Sequence, residues 1–564
     1  MRPLTRIFLM VCVFGWSSLV ATNLHAQDLG SLADASWNVT GGLGAGLSAY
    51  SVSGDRPGRT SPFAYVLSGN VNFSYGDFAI PISVSYRNQQ GSISNPFQRF
   101  GLSPSYKWAT VHLGWRSMPL GQFLYSGQDF LGVGVELNPG KFRLAALRGQ
   151  LRTPLVQRDS LFVGAELLET YERTLTGGRI GVGTEANHFD IVATRVRDAL
   201  TEEPPPSREA GFLPSDNVGL SAQLNLTLWR KLSLRGESSL SAITNDRERD
   251  SLDVANEWVD RVGTVLDVNE TSRVHFAHAY RLNLNVRPVR LGFEFQQVDP
   301  FYRSLGTPYL NNDIRRLNAR LGFSLAAGKV RVDTRLGRQR NNLNELLLST
   351  NARWIGSANV QAQLSPKLSL QARYYNFQSQ LEDGLVVVDD TLRRGQQTAT
   401  YTLSPAYRER LDGLTRTIRL TANYRDIAYR QPGRPATSIG QTSARLLVSQ
   451  QWTETDFGVS ASLRYQRNEA EVESRESQNV GFGIQANKGL LDKTIRLGLS
   501  AQYSDRQRGG ENDGSVTSLG LNASYRVTEK NTLSVRSNLL VARSPIDLRD
   551  FTETRTHLNY RLRF

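Results

Sequence analysis

A chain of 564 residues with 48 glycines, one cysteine and a net charge of +14 is too long for one ordinary soluble domain, and its mean hydropathy of −0.37 leaves no room for a set of membrane helices. Its 66 basic residues are spread along the chain and not clustered among aromatics, which excludes a nucleic-acid surface; the lone cysteine excludes a disulfide scaffold. A β-barrel is not excluded, because its alternating strands average out to polar.

Arg2 and Arg6 precede the apolar run IFLMVCVFGW, and SSLVATNLHA follows it, ending at Ala26. These are the three parts of a secretory signal peptide, although Leu24 stands where a small residue is usual. Residues 1–26 are therefore expected to be removed and residues 27–564 to form one exported domain. Cys12 lies in the removed part, so the mature chain is expected to carry neither a disulfide nor a lipidated cysteine. The first strand is expected near residues 36–52, SWNVTGGLGAGLSAYSV, about ten residues after Ala26, which leaves no space for an N-terminal plug domain.

Residues 95–118 read NPFQRFGLSPSYKWATVHLGWRSM and residues 129–151 read DFLGVGVELNPGKFRLAALRGQL. Pro96 and Pro104 mark a loop, and Trp108 suits an interfacial belt. DSLFVGAELLETYER, residues 159–173, is assigned to an outer loop, since a wall strand there would break the in–out parity. Gly177 and Gly178 have no following helix, so they point to strand curvature and not to a phosphate cradle.

From about residue 36 to the end the period is two. LSLQARYY sets Leu368, Leu370, Ala372 and Tyr374 on one face; IRLTANYR sets Ile418, Leu420, Ala422 and Tyr424; VSASLRYQ, IRLGLSAQY and LGLNASYR repeat the device, ending at Tyr465, Tyr503 and Tyr525. These segments exceed the usual globular strand length, and their apolar faces end in Tyr, as a lipid-facing band bordered by an aromatic girdle does. Short turns at 75–78, 138–141, 187–190, 229–232, 286–290, 326–329, 364–367, 411–414, 453–456, 490–493 and 527–530, with one more near Ala109–Thr110, alternate with longer polar connections such as 198–216 and 245–272. Twelve short-side hairpins with one strand at each end predict about 26 strands.

The chain closes on THLNYRLRF, in which Leu558, Tyr560, Leu562 and Phe564 alternate with polar residues. This strand is expected to pair with the first one and to present a C-terminal insertion signal to the barrel-assembly machinery. The prediction is an all-β transmembrane antiparallel barrel, integral in the lipid of the Gram-negative outer membrane, with both termini periplasmic.

The Asn95-Pro96-Phe97 loop, the Ser103-Pro104-Ser105-Tyr106-Lys107-Trp108 strand and the Asn138-Pro139-Gly140-Lys141-Phe142 hairpin resemble segments that recur in a group of large, poorly characterised outer-membrane barrels of the Bacteroidetes. YERTLTGGRIGVG and NHFDIVATRVRD look like that group's next strands, so the resemblance spans about residues 60–200. It implies fold and location, and no activity; Asn95, Phe97 and Arg99 gain no binding role from it.

Ten arginines fall on the predicted inner face: Arg320, Arg331, Arg335, Arg373, Arg419, Arg425, Arg464, Arg496, Arg526 and Arg536, with Glu237, Glu294 and Asp333 among them. Such residues either brace a wide wall or favour anions in a channel. No zinc motif or nucleophile elbow occurs, and His275 and His278, three apart, belong to opposite strand faces. No enzyme activity, cofactor or metal is expected. The function expected first is a passive or gated solute pore. The alternatives are the barrel of an export or assembly complex with a periplasmic or lipoprotein partner, and an adhesive surface barrel acting through its long outer loops.

Overall fold

The computed structural model describes residues 36–564 except 55, 88–97, 152–154, 159–165, 210, 251–262, 264, 386, 388–394, 432–436, 471–474 and 546–549. The expected signal peptide and Cys12, and Asn95, Pro96 and Phe97, lie outside the described residues.

One antiparallel sheet runs from Trp37–Gly54 to Phe551–Arg563 and closes on itself, each strand pairing with its neighbours in sequence. It has 26 strands once Gln98–Leu102 and Ser105–Tyr106 are taken as one, broken where Pro104 lacks a donor. The closing register runs from Gly42 opposite Arg563 to Gly54 opposite Phe551. Beyond it, Gly41 N–H donates to Phe564 O at 2.9 Å and Phe564 N–H returns to Gly41 O at 3.2 Å, so the last residue completes the seam. Closure leaves no unpaired strand edge, which hydrocarbon would penalise heavily. Among the described residues no helix is long and apolar enough to cross a membrane, which says nothing against a barrel.

Twelve short turns join strands at the end that carries both termini. Eleven fall where the sequence places them. The twelfth lies at Lys107 and Trp108, with Lys107 in the left-handed region (φ 49°), and Ala109 and Thr110 already belong to the next strand. Connections at the opposite end are longer, save the four residues between Ala470 and Arg475 and the two-glycine turn at Gly509–Gly510. Leu155–Arg158 and Glu166–Glu169 pair with each other in a hairpin outside the wall.

Strand length is uneven around the barrel. Strands from Ala109–Arg116 to His188–Asp198 have 8–11 residues, whereas those from Ser349–Gln363 to Glu511–Arg526 have 14–17. A tilted strand crosses hydrocarbon in ~9–11 residues, so the longer arc rises above the bilayer as a collar. The outer face agrees. Leu368, Leu370, Ala372 and Tyr374 are followed on the same face by Asn376, Gln378, Gln380 and Glu382. Above Tyr465, Arg467 pairs with Glu469 and Glu476 at 2.6 and 2.9 Å.

The five tyrosines of the expected girdle divide between the two borders of the apolar band. Tyr374, Tyr401 and Tyr424 stand opposite one another, and Tyr465 and Tyr503 continue the series in steps of two residues. Tyr525 lies at the other border, opposite Ile495 and Leu533 beside a short turn. Trp452 and Phe457, with rings 5.4 Å apart across a neighbouring short turn, mark the same level. Tyr503 faces Thr517, eight residues before Tyr525 in the same strand. At ~3.4 Å per residue and ~40° tilt the borders stand about 21 Å apart, close to the ~25 Å apolar band of such barrels.

Candidate functional site

Between Ala109–Arg116 and Phe130–Leu137 the chain makes a thirteen-residue connection, SMPLGQFLYSGQD, on the long-loop side. Five of its residues are apolar or aromatic, and water offers such a loop nothing. It turns into the barrel. Met118, Leu120, Phe123, Leu124 and Tyr125 are all buried, none more than 2% exposed. Met118, Leu120, Leu124 and Tyr125 pack on wall residues that also face inward, Leu147, Leu175, Val192, Val196 and Ile243, while Phe123 packs with Ala277, Val298, Tyr302 and Ile314. Gly219 makes room for this contact, since a Cβ there would lie 2.5 Å from Leu124. Gly177 does the same for Leu120, at 2.7 Å, so its reason is close approach and not the strand curvature expected from sequence.

A second long-side loop, residues 299–313, covers the first. Tyr302 Oη and Thr307 Oγ1 donate to Phe123 O at 3.0 and 3.2 Å, and Ser304 Oγ donates to Leu124 O at 2.8 Å. Burial and then the nearby Glu237 charge push the Tyr302 phenol well up, which keeps it a neutral donor. Gly306 approaches so closely that a Cβ would sit 2.1 Å from Leu124 O. Leu305 completes the apolar cluster. From the wall, Glu237 accepts the backbone N–H groups of Gln122 and Phe123 at 3.2 and 3.3 Å, and Asp129 is paired with Arg99. One sector of the lumen is therefore apolar and packed, unlike the arginine-bearing face that the sequence predicts.

The loop fixes which wall face is inner. Glu237 touches it, and residues directly opposite on adjacent strands share a face. The pairs Glu237–Ala279–Gln296, Arg281–Glu294–Asn318 and Arg320–Arg335–Ser357 carry that face onward, and the chain of pairs through Arg373, Asn423, Arg445 and Arg464 carries it round. All ten predicted arginines, with Glu294 and Asp333, lie on it, and all ten arginines are exposed. His275 shares this face and His278 the opposite one, where it stacks between Phe276 and Tyr280.

The arginines fall into two groups. Arg281 and Arg320 form ion pairs with Glu294 at 2.8 and 3.0 Å, with Arg335 at 3.9 Å; these half-exposed pairs each contribute no more than ~1 kcal/mol. The other eight predicted positions have no carboxylate within ion-pair distance among the described residues. Arg373 and Arg536 donate instead to Asn359 and Asn522, at 3.3 and 2.8 Å. Bracing explains the first group and not the second. Among the described residues no cluster of three or more His, Asp or Glu is set to hold a metal ion.

At the outer rim Arg173 grips Asp198 at 2.7 and 3.0 Å, and Asp267 binds Arg247 at 3.0 Å and also Arg197. Burial raises the Asp267 carboxyl, but the bonds from Arg247 and the charge of Arg197 outweigh it and leave its pKa below the usual range. The rim thus ties Arg247 and Asp267 onto the wall.

No protein-family model matches the chain, and no curated protein matches it. Among solved structures it is similar to the P pilus usher PapC translocation pore, at 13% identity over 93% of this chain and 99% of that one (TM-score 0.35). It is also similar to the copper transporter OprC (11%, 94% and 80%, TM-score 0.38) and to OmpT of Vibrio cholerae (10%, 67% and 100%, TM-score 0.25). These likenesses are of barrel architecture alone. The chain is a large, integral β-barrel of the outer-membrane type.

Proposed function

We propose that this barrel is an outer-membrane pore that favours anionic solutes, its lumen narrowed on one side by the inward loop 117–129. The observation that carries the reading is the second arginine group: eight exposed guanidinium groups on the lumen face with no carboxylate beside them among the described residues. Rings of basic side chains repel cations and concentrate anions. Size supports the same reading. Twenty-six strands ~4.8 Å apart, tilted ~40°, enclose a cylinder about 50 Å across, far more than one thirteen-residue loop fills. In this reading the short turns and both termini face the periplasm, and the barrel-assembly machinery reads Leu558, Tyr560, Leu562 and Phe564 during insertion.

The test is planar-bilayer conductance of the purified barrel with the reversal potential measured under a salt gradient. A steady conductance with anion preference supports the pore. A folded barrel that conducts nothing, or that prefers cations, overturns it.

A further inference from the structure

Above the lumen core lies a cavity of about 690 Å³, open towards the long-loop end. Its floor is Tyr302 and Leu305, the roof of the packed lumen core, and its walls include Phe212, Phe301, His275, Arg273 and Arg303. The volume falls within the ~300–1,000 Å³ of small-molecule sites. Phe301 is the first sign of purpose. It is 65% exposed and holds φ at 63°, a conformation that a bulky aromatic adopts only under strain. The fold gains little from presenting that ring to solvent 6.3 Å from the His275 ring, whereas a planar ligand gains a stacking surface.

Charge is the second sign. The cavity is lined by Arg173, Arg273 and Arg303 against one carboxylate, Asp198. Asp198 is already used by both guanidinium bonds from Arg173 and by the Ser215 N–H at 3.1 Å. Among the described residues, Arg273 reaches only the carbonyls of Glu270 and Ser272, both at 2.8 Å, and Arg303 only Asn245 Oδ1 at 3.4 Å. Two cations therefore stand over an apolar floor without a counter-charge of their own. The protein packed around Arg303, and then Arg173, lower its pKa against the pull of Asp198, which is the state an added anion relieves.

We infer that this cavity captures small aromatic carboxylates, the ring against Phe301 and the apolar floor and the carboxylate on Arg303 and Arg273. A bare inorganic anion uses only the cations, and a neutral aromatic only the walls. The inference deepens the pore reading and rests on it solely for the onward passage of a captured molecule. Binding itself needs no conductance.

The experiment is titration calorimetry on the detergent-solubilised, folded full-length barrel with benzoate, benzyl alcohol and inorganic phosphate as probes. Benzoate is expected to bind saturably and at least about tenfold more tightly than either comparator. Arg303→Gln is expected to weaken benzoate about tenfold. If that variant fails to fold, judged by heat-dependent electrophoretic mobility, Phe301→Ser serves instead, since an exposed ring is dispensable to the fold, and the same loss is expected. No saturable benzoate binding, equal binding of benzyl alcohol or phosphate, or unchanged affinity in a folded variant overturns the inference. A barrel that conducts without binding benzoate sinks this inference alone; one that binds without conducting sinks the pore alone.

Discussion

Leu124 is the residue on which the seating of the inward loop turns, and its truncation gives a measurable consequence. The side chain is fully buried, fills the space that Gly219 leaves open, and belongs to the same cluster as Leu305. Leu124→Ala removes three carbons, Cγ and both Cδ methyls, from a site that the rigid wall prevents from collapsing, a loss of ~2–5 kcal/mol. At ~1.4 kcal/mol per tenfold, the unseated population of the loop rises by about 30-fold or more. The loop carries no charge that the change disturbs, so the effect is one of packing alone. The assay uses the absence of any cysteine other than Cys12. Leu120→Cys, itself 2% exposed, reports by its rate of maleimide modification how often the loop leaves the wall. The comparison is L120C against L120C/L124A in the purified barrel, so that the probe's own effect cancels. A rate ratio of about 30 or more is expected, with noisier and larger single-channel currents. A ratio within about twofold of unity, in a barrel whose L120C is otherwise protected, refutes the claim that apolar packing holds the loop.

Gly306→Ala places a Cβ about 2.1 Å from Leu124 O and must part the two loops; the same L120C probe should accelerate at least tenfold. The triple change Arg419→Gln, Arg464→Gln and Arg496→Gln should lower anion preference. A unit charge ~10 Å from the ion path contributes ~0.4 kcal/mol in water before screening, so the three together change anion occupancy about twofold at 0.1 M salt and about fourfold at 0.01 M. A salt-independent change in reversal potential would count against a field effect. Asp267, with its pKa depressed in the folded state, contributes stability that is present above the unfolded value and lost as pH falls through the folded one. Hydrogen-exchange protection of residues 265–272 should therefore fall only at acid pH in the wild type, and already at neutral pH in Asp267→Asn.

The wall was legible because its period is two along nearly every strand, with a register shift at Arg506–Gln507 and a break at Pro104. Once Leu368, Leu370, Ala372 and Tyr374 are set to lipid, the same parity puts Arg373 inside, and the turns carry that parity across strands. The inward loop was not legible in this way, because SMPLGQFLYSGQD has no period and a connection's path is set by its contacts with distant strands. A signal nevertheless existed. HFDIVATRV carries Ile191 towards lipid and Val192 and Val196 towards the lumen, so it is apolar on both faces, as only a strand covered on both faces is. Five apolar residues in a connection on the long-loop side were the matching half. The outer cavity was less legible still, for Arg303 and Phe301 meet His275 only because a loop folds over a core that the sequence did not announce.

The collar changes what an arriving ion feels. From Tyr374 the strand continues nine residues to Asp383. At ~3.4 Å per residue and ~40° tilt, its rim stands about 23 Å above the lipid border. The Debye length at physiological salt is ~8 Å, so the repulsion from anionic headgroups has decayed to less than a tenth at that height. Under the pore reading, an anion arriving over this arc crosses the rim with the headgroup repulsion already screened, whereas over the lower arc opposite it passes closer to that charge.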